Sequence, residues 1–390
     1  MGGMPSPRTV LFAHPSAELY GSDLQLVETV RGCVDAGATA VVVIPAEGDL
    51  GPLLRDAGAR VVVLPMPVLR KALLTPAGMV RLAVQAARAL PGQVRLVRRT
   101  GAGVVLVNTQ TIPTWLVAGR LAGARVVSHV HEAEADAARA LRWGLAAPLL
   151  LAHHVVANSR FAREVVVRAV PRLARRTTVI YNGVPGPGPV AEPGPSPVKD
   201  HALVALVGRL SPRKGTDVAL EAVARLRAAG RDVRIVLCGS AFAGYEWFEQ
   251  QLRDRAARPD LDGAVTFAGY ADPWEWFERA DVVVVPSRVE PFGNVAVQGM
   301  LARRPVIASR TQGLAEIVRD HETGLAVPPE DDVALADAVA RLLDDGALAD
   351  RLAGAARKEA LERFDVDRYR ALIAREVMGL ATPDRENGSI

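Results

Sequence analysis

The chain has few cysteines, few aromatic residues and no long apolar run. Its two cysteines among 390 residues, Cys33 and Cys238, lie far apart in apolar surroundings and are expected to be buried, reduced thiols. Only 5% of the residues are aromatic and 23% are charged, which disfavours disorder, a fibrous repeat and base stacking on nucleic acid. No apolar run reaches the roughly 18 residues that span a bilayer, and we find no signal-peptide pattern, so a cytoplasmic location is expected.

Acidic residues are missing from one long stretch. Residues 66–103 contain six arginines and Lys71 but no Asp or Glu, and residues 160–176 carry six arginines against Glu164. Such clusters attract anionic partners, which here are a phosphorylated acceptor or an anionic surface at the inner face of the cell membrane. Nucleic acid is not expected because aromatic residues are scarce. A solvated helix face is the alternative.

Apolar β-branched runs alternate with amphipathic segments along the chain. This alternation predicts parallel sheets that are covered by helices on both faces, and the length favours two domains. Residues 185–198 are rich in Pro and Gly and are predicted to be a linker. We therefore predict an α/β protein with two Rossmann-like, doubly wound domains. They cover residues 1–184 and 199–363, and 364–390 form a C-terminal segment. A cleft between such domains is a preferred ligand site.

One candidate site follows the apolar strand Val282-Val283-Val284-Val285. The segment Glu290-Pro291-Phe292-Gly293-Asn294 places a carboxylate beside a glycine-containing helix start. The carboxylate accepts hydrogen bonds from hydroxyl groups, and the free backbone N–H groups of a helix N-terminus bind phosphate. The combination indicates a sugar that is attached to a phosphate.

A second candidate site follows the strand that ends at Val207. The segment from Gly208 to Asp217 contains Arg209, a bidentate donor, and Lys214, a compact point charge; the two suit a diphosphate. The chain has four lysines and 43 arginines, so a lysine at this turn hints at a specific requirement. An exposed basic loop is the alternative.

These two segments resemble the signature segments of the family 4 glycosyltransferases, which are retaining enzymes with the GT-B fold. The supporting matches, in chain order, are Val130-His131-Glu132, Asn158-Ser159, Tyr181-Asn182-Gly183-Val184, Phe267-Ala268-Gly269-Tyr270 and Gly324-Leu325-Ala326-Val327-Pro328. The resemblance implies two Rossmann-like domains that face each other across a deep cleft. The first would bind the acceptor and the second a nucleotide-sugar donor, and the segment 364–390 would contain a helix that crosses back to the first domain.

The resemblance also implies roles for individual residues. Arg209 and Lys214 would bind the donor diphosphate, and Glu290 would accept hydrogen bonds from the donor sugar. His131 would contact the transferring sugar from the first domain, although a structural role at a strand end is its alternative, and His129 is given the structural role. The motifs imply further donor-binding positions. Gly21 and Ser22 would lie in a loop that closes over the donor, and Gly269 and Tyr270 would lie near the base. Gly208 and the N–H groups of Phe292, Gly293 and Asn294 would also contact the donor.

Gln298 departs from the family pattern, in which a second Glu stands eight residues after the first and holds the ribose. Gln retains an acceptor oxygen but lacks the charge, so we predict weaker donor binding with the chemistry intact.

The reaction implied is glycosyl transfer with retention, in which a phosphate oxygen of the leaving group takes the proton of the acceptor. No cofactor or metal is expected, and the donor is a UDP- or GDP-sugar. Polysaccharide, glycolipid or glycosylated natural-product biosynthesis are the settings considered, so the acceptor is either anionic or lipid-linked, or a soluble small molecule. Two other functions stay open at this point: a nucleotide-sugar epimerase of the same fold, and a non-catalytic relative that binds nucleotide sugars.

Overall fold

A computed structural model of the chain describes residues 8–69, 75–187, 200–242 and 244–379. Its contacts divide the chain into two units. The first contains Met1–Gly183 together with Val366–Ile390, and the second contains Val184–Asp365. Of the predicted linker 185–198, residues 188–198 lie outside the described residues.

The first unit is built on a seven-stranded sheet in which every neighbouring pair is parallel. Its strands are β1 (Thr9–Ala13), β2 (Thr39–Ile44), β3 (Arg60–Val63), β4 (Val104–Val107), β5 (Arg125–Val130), β6 (His154–Ala157) and β7 (Thr177–Val179). The order across the sheet is β3-β2-β1-β4-β5-β6-β7. The order therefore reverses between β1 and β4.

Helices cover both faces of this sheet. In chain order they are α1 (Gly21–Asp35), α2 (Leu50–Asp56), α3 (Pro76–Thr100), α4 (Thr114–Leu121), α5 (Arg139–Ala146) and α6 (Arg160–Ala169). Side chains along β1 alternate between two apolar cores, with Val10 and Phe12 in one and Leu11 and Ala13 in the other. This burial on both faces explains why the strand is apolar from Val10 to Ala13.

The C-terminal helix packs on the first unit. The last segment of the chain belongs to the first unit because its helix α14 (Val366–Met378) packs against α1. The Tyr369 hydroxyl lies 2.6 Å from the Thr29 hydroxyl, and Arg370 Nε donates to Glu28 at 2.8 Å. A Cβ added to Gly32 would lie 2.6 Å from the Arg370 carbonyl oxygen, so the helices approach closely there.

The second unit repeats the same plan with a six-stranded parallel sheet. Its strands are β8 (Ala202–Val207), β9 (Val233–Cys238), β10 (Val265–Gly269), β11 (Val282–Val285), β12 (Val306–Ser309) and β13 (Leu325–Val327). The order is β10-β9-β8-β11-β12-β13, which is the Rossmann order. The Rossmann-like, doubly wound α/β architecture predicted from the sequence is confirmed in both units.

The helices of the second unit complete it. They are α7 (Thr216–Ala228), α8 (Glu246–Ala256), α9 (Pro273–Arg279), α10 (Asn294–Leu301), α11 (Leu314–Ile317), α12 (Asp332–Asp344) and α13 (Gly346–Arg363). This unit includes Val184, whose N–H donates a 3.0 Å hydrogen bond to the carbonyl oxygen of Phe364, the residue that follows α13.

Candidate active site

The two candidate segments of the second unit lie where the strand order of its sheet reverses. β8 pairs with β11 on one side and with β9 on the other, and the segments follow the carboxyl ends of β8 and β11. We call Gly208–Gly215 the β8 loop and Pro286–Gly293 the β11 loop. In open α/β sheets, ligands bind at such a reversal point.

The β8 loop and the β11 loop touch through their backbones at Gly215. This residue has φ +65°, and a Cβ added to it would lie 2.0 Å from the Pro286 carbonyl oxygen. A side chain is therefore excluded both by the backbone conformation and by the lack of space. The contact fixes the position of the neighbouring Lys214 against the β11 loop.

Arg288 joins the same two loops through its side chain. Its guanidinium donates two hydrogen bonds of 2.8 Å to the Asp217 carboxylate and one of 2.6 Å to the Pro212 carbonyl oxygen. Its Nε donates to Glu330 at 2.7 Å. The hydrogen bonds to Asp217 are the main reason that the pKa of Arg288 is raised. Sequence reasoning missed Arg288, although its position two residues before Glu290 could have drawn attention to it.

Lys214 and Glu290, which the sequence assigns to the diphosphate and the sugar, are in direct contact. Lys214 Nζ donates to Glu290 Oε2 over 2.5 Å, and the Ser287 hydroxyl lies 3.5 Å from the same oxygen. The side chains are 26% and 14% exposed, so the pair is partly shielded but reachable from solvent. The ammonium has three donors, and one hydrogen bond to Glu290 leaves it able to bind a second anion.

Backbone glycines bring the ends of three neighbouring strands together. Gly208 has φ +134°. A Cβ added to Gly239 would lie 2.0 Å from the carbonyl oxygen of Gly208. The Gly239 N–H donates to the Gly269 carbonyl oxygen at 2.7 Å. Arg209, next to Gly208, stacks its guanidinium 4.5 Å from the centre of the Phe242 ring. Tyr270 follows Gly269 and is 60% exposed.

The β11 loop leads directly into α10. Gly293 precedes the helix with φ +120°, and a Cβ there would lie 2.7 Å from Leu314 Cδ1, so glycine is required. Phe292 is buried and packs edge-on against Phe364, with ring centres 5.7 Å apart. Asn294 begins α10, and Gln298 lies half-buried one turn later. The roles of these residues toward a donor stay predictions.

In the first unit, His131 ends a chain of buried polar side chains. His14 Nε2 lies 2.7 Å from Asp23 Oδ1, and Asn108 Nδ2 lies 3.1 Å from His14 Nδ1. Asn108 Oδ1 lies 2.9 Å from His131 Nε2. The four side chains belong to residues that are at most 9% exposed. We call them the Asp23–His131 chain. His14, Asn108 and His131 directly follow β1, β4 and β5, so the chain lies where the strand order of the first sheet reverses.

The polarity of the Asp23–His131 chain follows from its carboxylate end. The carboxylate accepts, so His14 Nε2 donates and His14 Nδ1 accepts from the Asn108 amide nitrogen. The amide oxygen of Asn108 then accepts from His131 Nε2, which leaves His131 Nδ1 as an acceptor. Among the described residues, that buried nitrogen has no hydrogen-bond partner.

The loop that carries Gly21 and Ser22 is attached to this chain. The Tyr20 N–H donates to Asp23 Oδ2 at 2.9 Å, and Asn108 Nδ2 lies 3.5 Å from the Ser22 carbonyl oxygen. Gly21 is exposed and begins α1. Sequence reasoning named His131, Gly21 and Ser22 but not the links between them.

Burial keeps the two neighbouring histidines neutral. Desolvation lowers the pKa of His131 well below its ordinary value, and the nearby His129 and His14 lower it further. Desolvation also lowers the pKa of His129 from 6.5 to about 3. The two rings lie 4.0 Å apart. His131 is therefore suited to accept a hydrogen bond and not to act as a cation.

No group of three or more His, Cys, Asp or Glu residues in the described part is arranged to hold a metal ion. Within the same part of the chain, none of the helices has the length and apolar character needed to cross a bilayer.

Two family models match the chain, one in each unit. The model described as Glycosyltransferase Family 4 matches residues 21–185, and the model described as Glycosyl transferases group 1 matches residues 192–359.

Curated relatives match over part of the chain. Glycogen synthase of Mycobacterium tuberculosis is 36% identical over 194 residues, which are 48% of this chain and 45% of that protein. D-inositol 3-phosphate glycosyltransferase of Acidothermus cellulolyticus is 37% identical over 163 residues, 40% of this chain and 36% of the relative. The chain thus spans less than half the length of these relatives.

Solved structures match over nearly the whole chain. HepE of Anabaena, solved in complex with UDP-glucose, has a TM-score of 0.79 at 24% identity, covering 95% of this chain and 100% of that one. Sucrose-phosphate synthase of Thermosynechococcus elongatus has a TM-score of 0.70 at 21% identity, covering 96% and 99%. These likenesses confirm the predicted GT-B fold.

We predict that His129 makes the protein acid-sensitive. The folded state keeps His129 neutral down to about pH 3, whereas the unfolded chain is protonated below about 6.5. Between about pH 6.5 and pH 3 the unfolded state therefore binds one proton more than the folded state. For this one histidine, the free energy of unfolding falls by about 1.4 kcal/mol for each unit by which the pH is lowered. His129→Phe should reduce this slope. Urea unfolding between pH 7 and pH 4 measures it, with His321→Phe, at an exposed position of the second unit, as the control. An unchanged slope in His129→Phe would refute the prediction.

Proposed function

The chain belongs to the family 4 glycosyltransferases, and from that premise we propose that it transfers a glycosyl group from a nucleoside diphosphate sugar to a hydroxyl of an acceptor. The observation that carries this proposal is the Lys214–Glu290 pair at the reversal point of the second sheet. It places a cation for a diphosphate and an acceptor for sugar hydroxyls within one hydrogen bond of each other.

Lys214 and Arg209 bind the diphosphate in this proposal. As the bond to the sugar breaks, negative charge grows on the departing diphosphate, and cations that are already in position stabilise it. Lys214 is held by the contact between the β8 and β11 loops, and the Arg209 guanidinium stacks on Phe242. The N–H groups of Phe292, Gly293 and Asn294 add dipoles at the start of α10.

Glu290 is the proposed sugar-binding group of the second unit, and His131 is that of the first. The hydrogen bond from Lys214 orients the Glu290 carboxylate, which accepts hydrogen bonds from hydroxyls. The Asp23–His131 chain fixes the neutral tautomer of His131, whose Nδ1 accepts from another hydroxyl. HepE, a protein of the same fold, is known in complex with UDP-glucose, which supports a nucleotide sugar as the donor class.

The transfer proceeds with retention and without a protein-bound metal in this proposal. The leaving phosphate oxygen takes the proton of the acceptor hydroxyl as the new glycosidic bond forms on the same face of the sugar. The two cations provide the charge stabilisation, and Glu290 orients the sugar without forming a bond to it. The support for retention is the family resemblance of the two signature segments.

Contact with an anionic membrane is proposed for the first half of α3. Val80 is 65% and Met79 is 47% exposed there, next to the exposed Arg81 and Arg88. Helix α3 has no acidic residue in its first turn and ends with Arg98 and Arg99. Exposed apolar side chains beside arginines are typical of a helix that lies in a membrane interface.

Replacing Lys214 tests the proposed function. Lys214→Met keeps the length of the side chain but removes its charge, and should lower kcat/KM for the nucleotide sugar by about 100- to 1,000-fold, as loss of one transition-state donor does. The measurement is product formation from UDP- and GDP-sugars with and without acceptor, and Lys358→Met, at an exposed position of α13, is the control. Equal rates in the two variants would contradict the proposal, and so would isomerisation of the nucleotide sugar in the absence of an acceptor.

Replacing Gln298 tests the predicted weakness of donor binding. If Gln298 holds the ribose, Gln298→Glu introduces a charge-assisted hydrogen bond and should tighten the dissociation constant of the nucleoside diphosphate by about tenfold. Calorimetric titration measures this constant, with Gln250→Glu, at an exposed position of α8, as the control. An unchanged affinity would mean that Gln298 does not contact the ribose.

Replacing Val80 tests the membrane contact. Co-sedimentation with vesicles that contain anionic lipid should exceed that with neutral vesicles, and Val80→Glu should lower it because it adds a charge of the wrong sign to an apolar contact. The matched control is Val333→Glu, also at an exposed valine, on α12 of the second unit. Binding that is indifferent to lipid charge would exclude the contact.

A further inference from the structure

The first unit contains an apolar pocket directly beside the Asp23–His131 chain. We call it the β5 pocket; it has a volume of about 100 Å³ and lies between the loops after β4 and β5 and the helices α5 and α6. Asn108 and His131, which follow β4 and β5, are close in sequence to Gln110 and Glu132 in its wall. The carboxyl ends of parallel strands are where α/β domains bind ligands.

Most of the β5 pocket wall is aliphatic. The apolar residues that line it are Leu69, Leu141, Leu145, Ala146, Val165 and Val166. Ala146 and Val166 are 2% and 1% exposed, so they form the inner part. Such a wall stabilises an apolar group that leaves water and offers little to a heavily hydrated one.

One carboxylate defines the polar side of the β5 pocket. Glu132 accepts hydrogen bonds from the Thr109 hydroxyl and from the N–H groups of Gln110 and His131, at 3.4 and 3.2 Å for the two N–H groups. Burial is the main reason that the pKa of Glu132 is raised. Glu132 is half-buried and lines the pocket, so a hydrogen-bond donor on a ligand can reach its carboxylate.

The same side of the β5 pocket disfavours an anionic ligand. Glu134 lies beside Glu132 in the wall, and both would repel a phosphate. Arg142 also lines the pocket, and its Nη1 donates to the Ala135 carbonyl oxygen at 3.0 Å. The pocket therefore fits an uncharged group with an apolar body and a hydroxyl.

We propose that the β5 pocket binds the acceptor, and that the acceptor is an uncharged small molecule with an apolar part in the pocket and a hydroxyl that donates to Glu132. This rests on the proposed function, since it identifies the acceptor class for the same reaction. It selects the soluble small-molecule acceptor from the two classes that the sequence left open. Glu132 acts as a binding group here and takes no proton in the transfer.

The experiment compares three acceptor types at a saturating nucleotide sugar. The probes are an aryl glycoside, the same sugar without the aryl group, and the same sugar as its phosphate. The aryl glycoside should have a kcat/KM at least about tenfold above the other two, because burying two methylene equivalents gives about that factor. A preference for the phosphorylated sugar, or equal values for all three, would overturn the proposal.

Two variants locate the effect in the β5 pocket. Ala146→Leu fills its inner part, and Val165→Phe narrows it from a half-buried position on α6, so that the second variant serves if the first does not fold. Each should raise KM for the aryl glycoside by about tenfold and leave hydrolysis of the donor in the absence of acceptor unchanged. Ala140→Leu, at an exposed position of α5 outside the pocket, is the control. Unchanged KM in a folded pocket variant would overturn the proposal.

Direct binding separates this proposal from the proposed function. Calorimetry measures the affinity of the aryl glycoside without any turnover. Binding to the wild type that is lost in Val165→Phe supports the pocket even if no nucleotide sugar is consumed, in which case only the proposed function fails. Turnover of a nucleotide sugar with no binding of the aryl glycoside supports the function and overturns the pocket.

Discussion

The arrangement of the second unit depends on the close backbone contact between the β8 and β11 loops. Pairing of β8 with β11 brings the loops to the same edge of the sheet, and the absence of a side chain at Gly215 lets the backbones meet. Arg288 then bridges the loops through Asp217 and Pro212. Within this framework Lys214 and Glu290 lie 2.5 Å apart while both stay partly exposed. A charged pair in that setting is poised for a ligand that carries both an anion and hydroxyl groups.

The two units use the same topology for different electrostatics. Each sheet reverses its strand order beside its first strand, and each places polar residues at that point. The second unit keeps its charges near solvent, where desolvation costs little and the charges remain available. The first unit buries Asp23, His14, Asn108 and His131 completely or nearly so, and directed hydrogen bonds link these side chains. The second unit thus provides a partly exposed ion pair, and the first provides a buried chain of hydrogen bonds that ends at the neutral His131.

The sequence predicted the sheets because most positions of their strands are apolar. β1, β8 and β11 are buried on both faces, so their β-branched runs could be recognised without knowledge of the neighbours. β13, which has three residues, was not predicted as a strand. The fold and the two loops of the second unit could therefore be predicted from the sequence, and so could the position of Glu290 after the end of a strand.

Contacts between distant residues were not readable. His14 and Asn108 are 94 positions apart and meet because β1 pairs with β4, while Lys214 and Glu290 are 76 positions apart and meet because β8 pairs with β11. Sequence reasoning gave Lys214 and Glu290 separate roles and did not anticipate their ion pair. The β5 pocket likewise depends on how α5 and α6 pack, which no short motif encodes.

The most direct test of the account is a crystal structure of the protein with an intact nucleoside diphosphate sugar. The account predicts Lys214 Nζ within hydrogen-bond distance of a diphosphate oxygen, with the Glu290 carboxylate accepting from hydroxyls of the sugar. A diphosphate bound away from the β8 and β11 loops, or a sugar that does not contact Glu290, would contradict it.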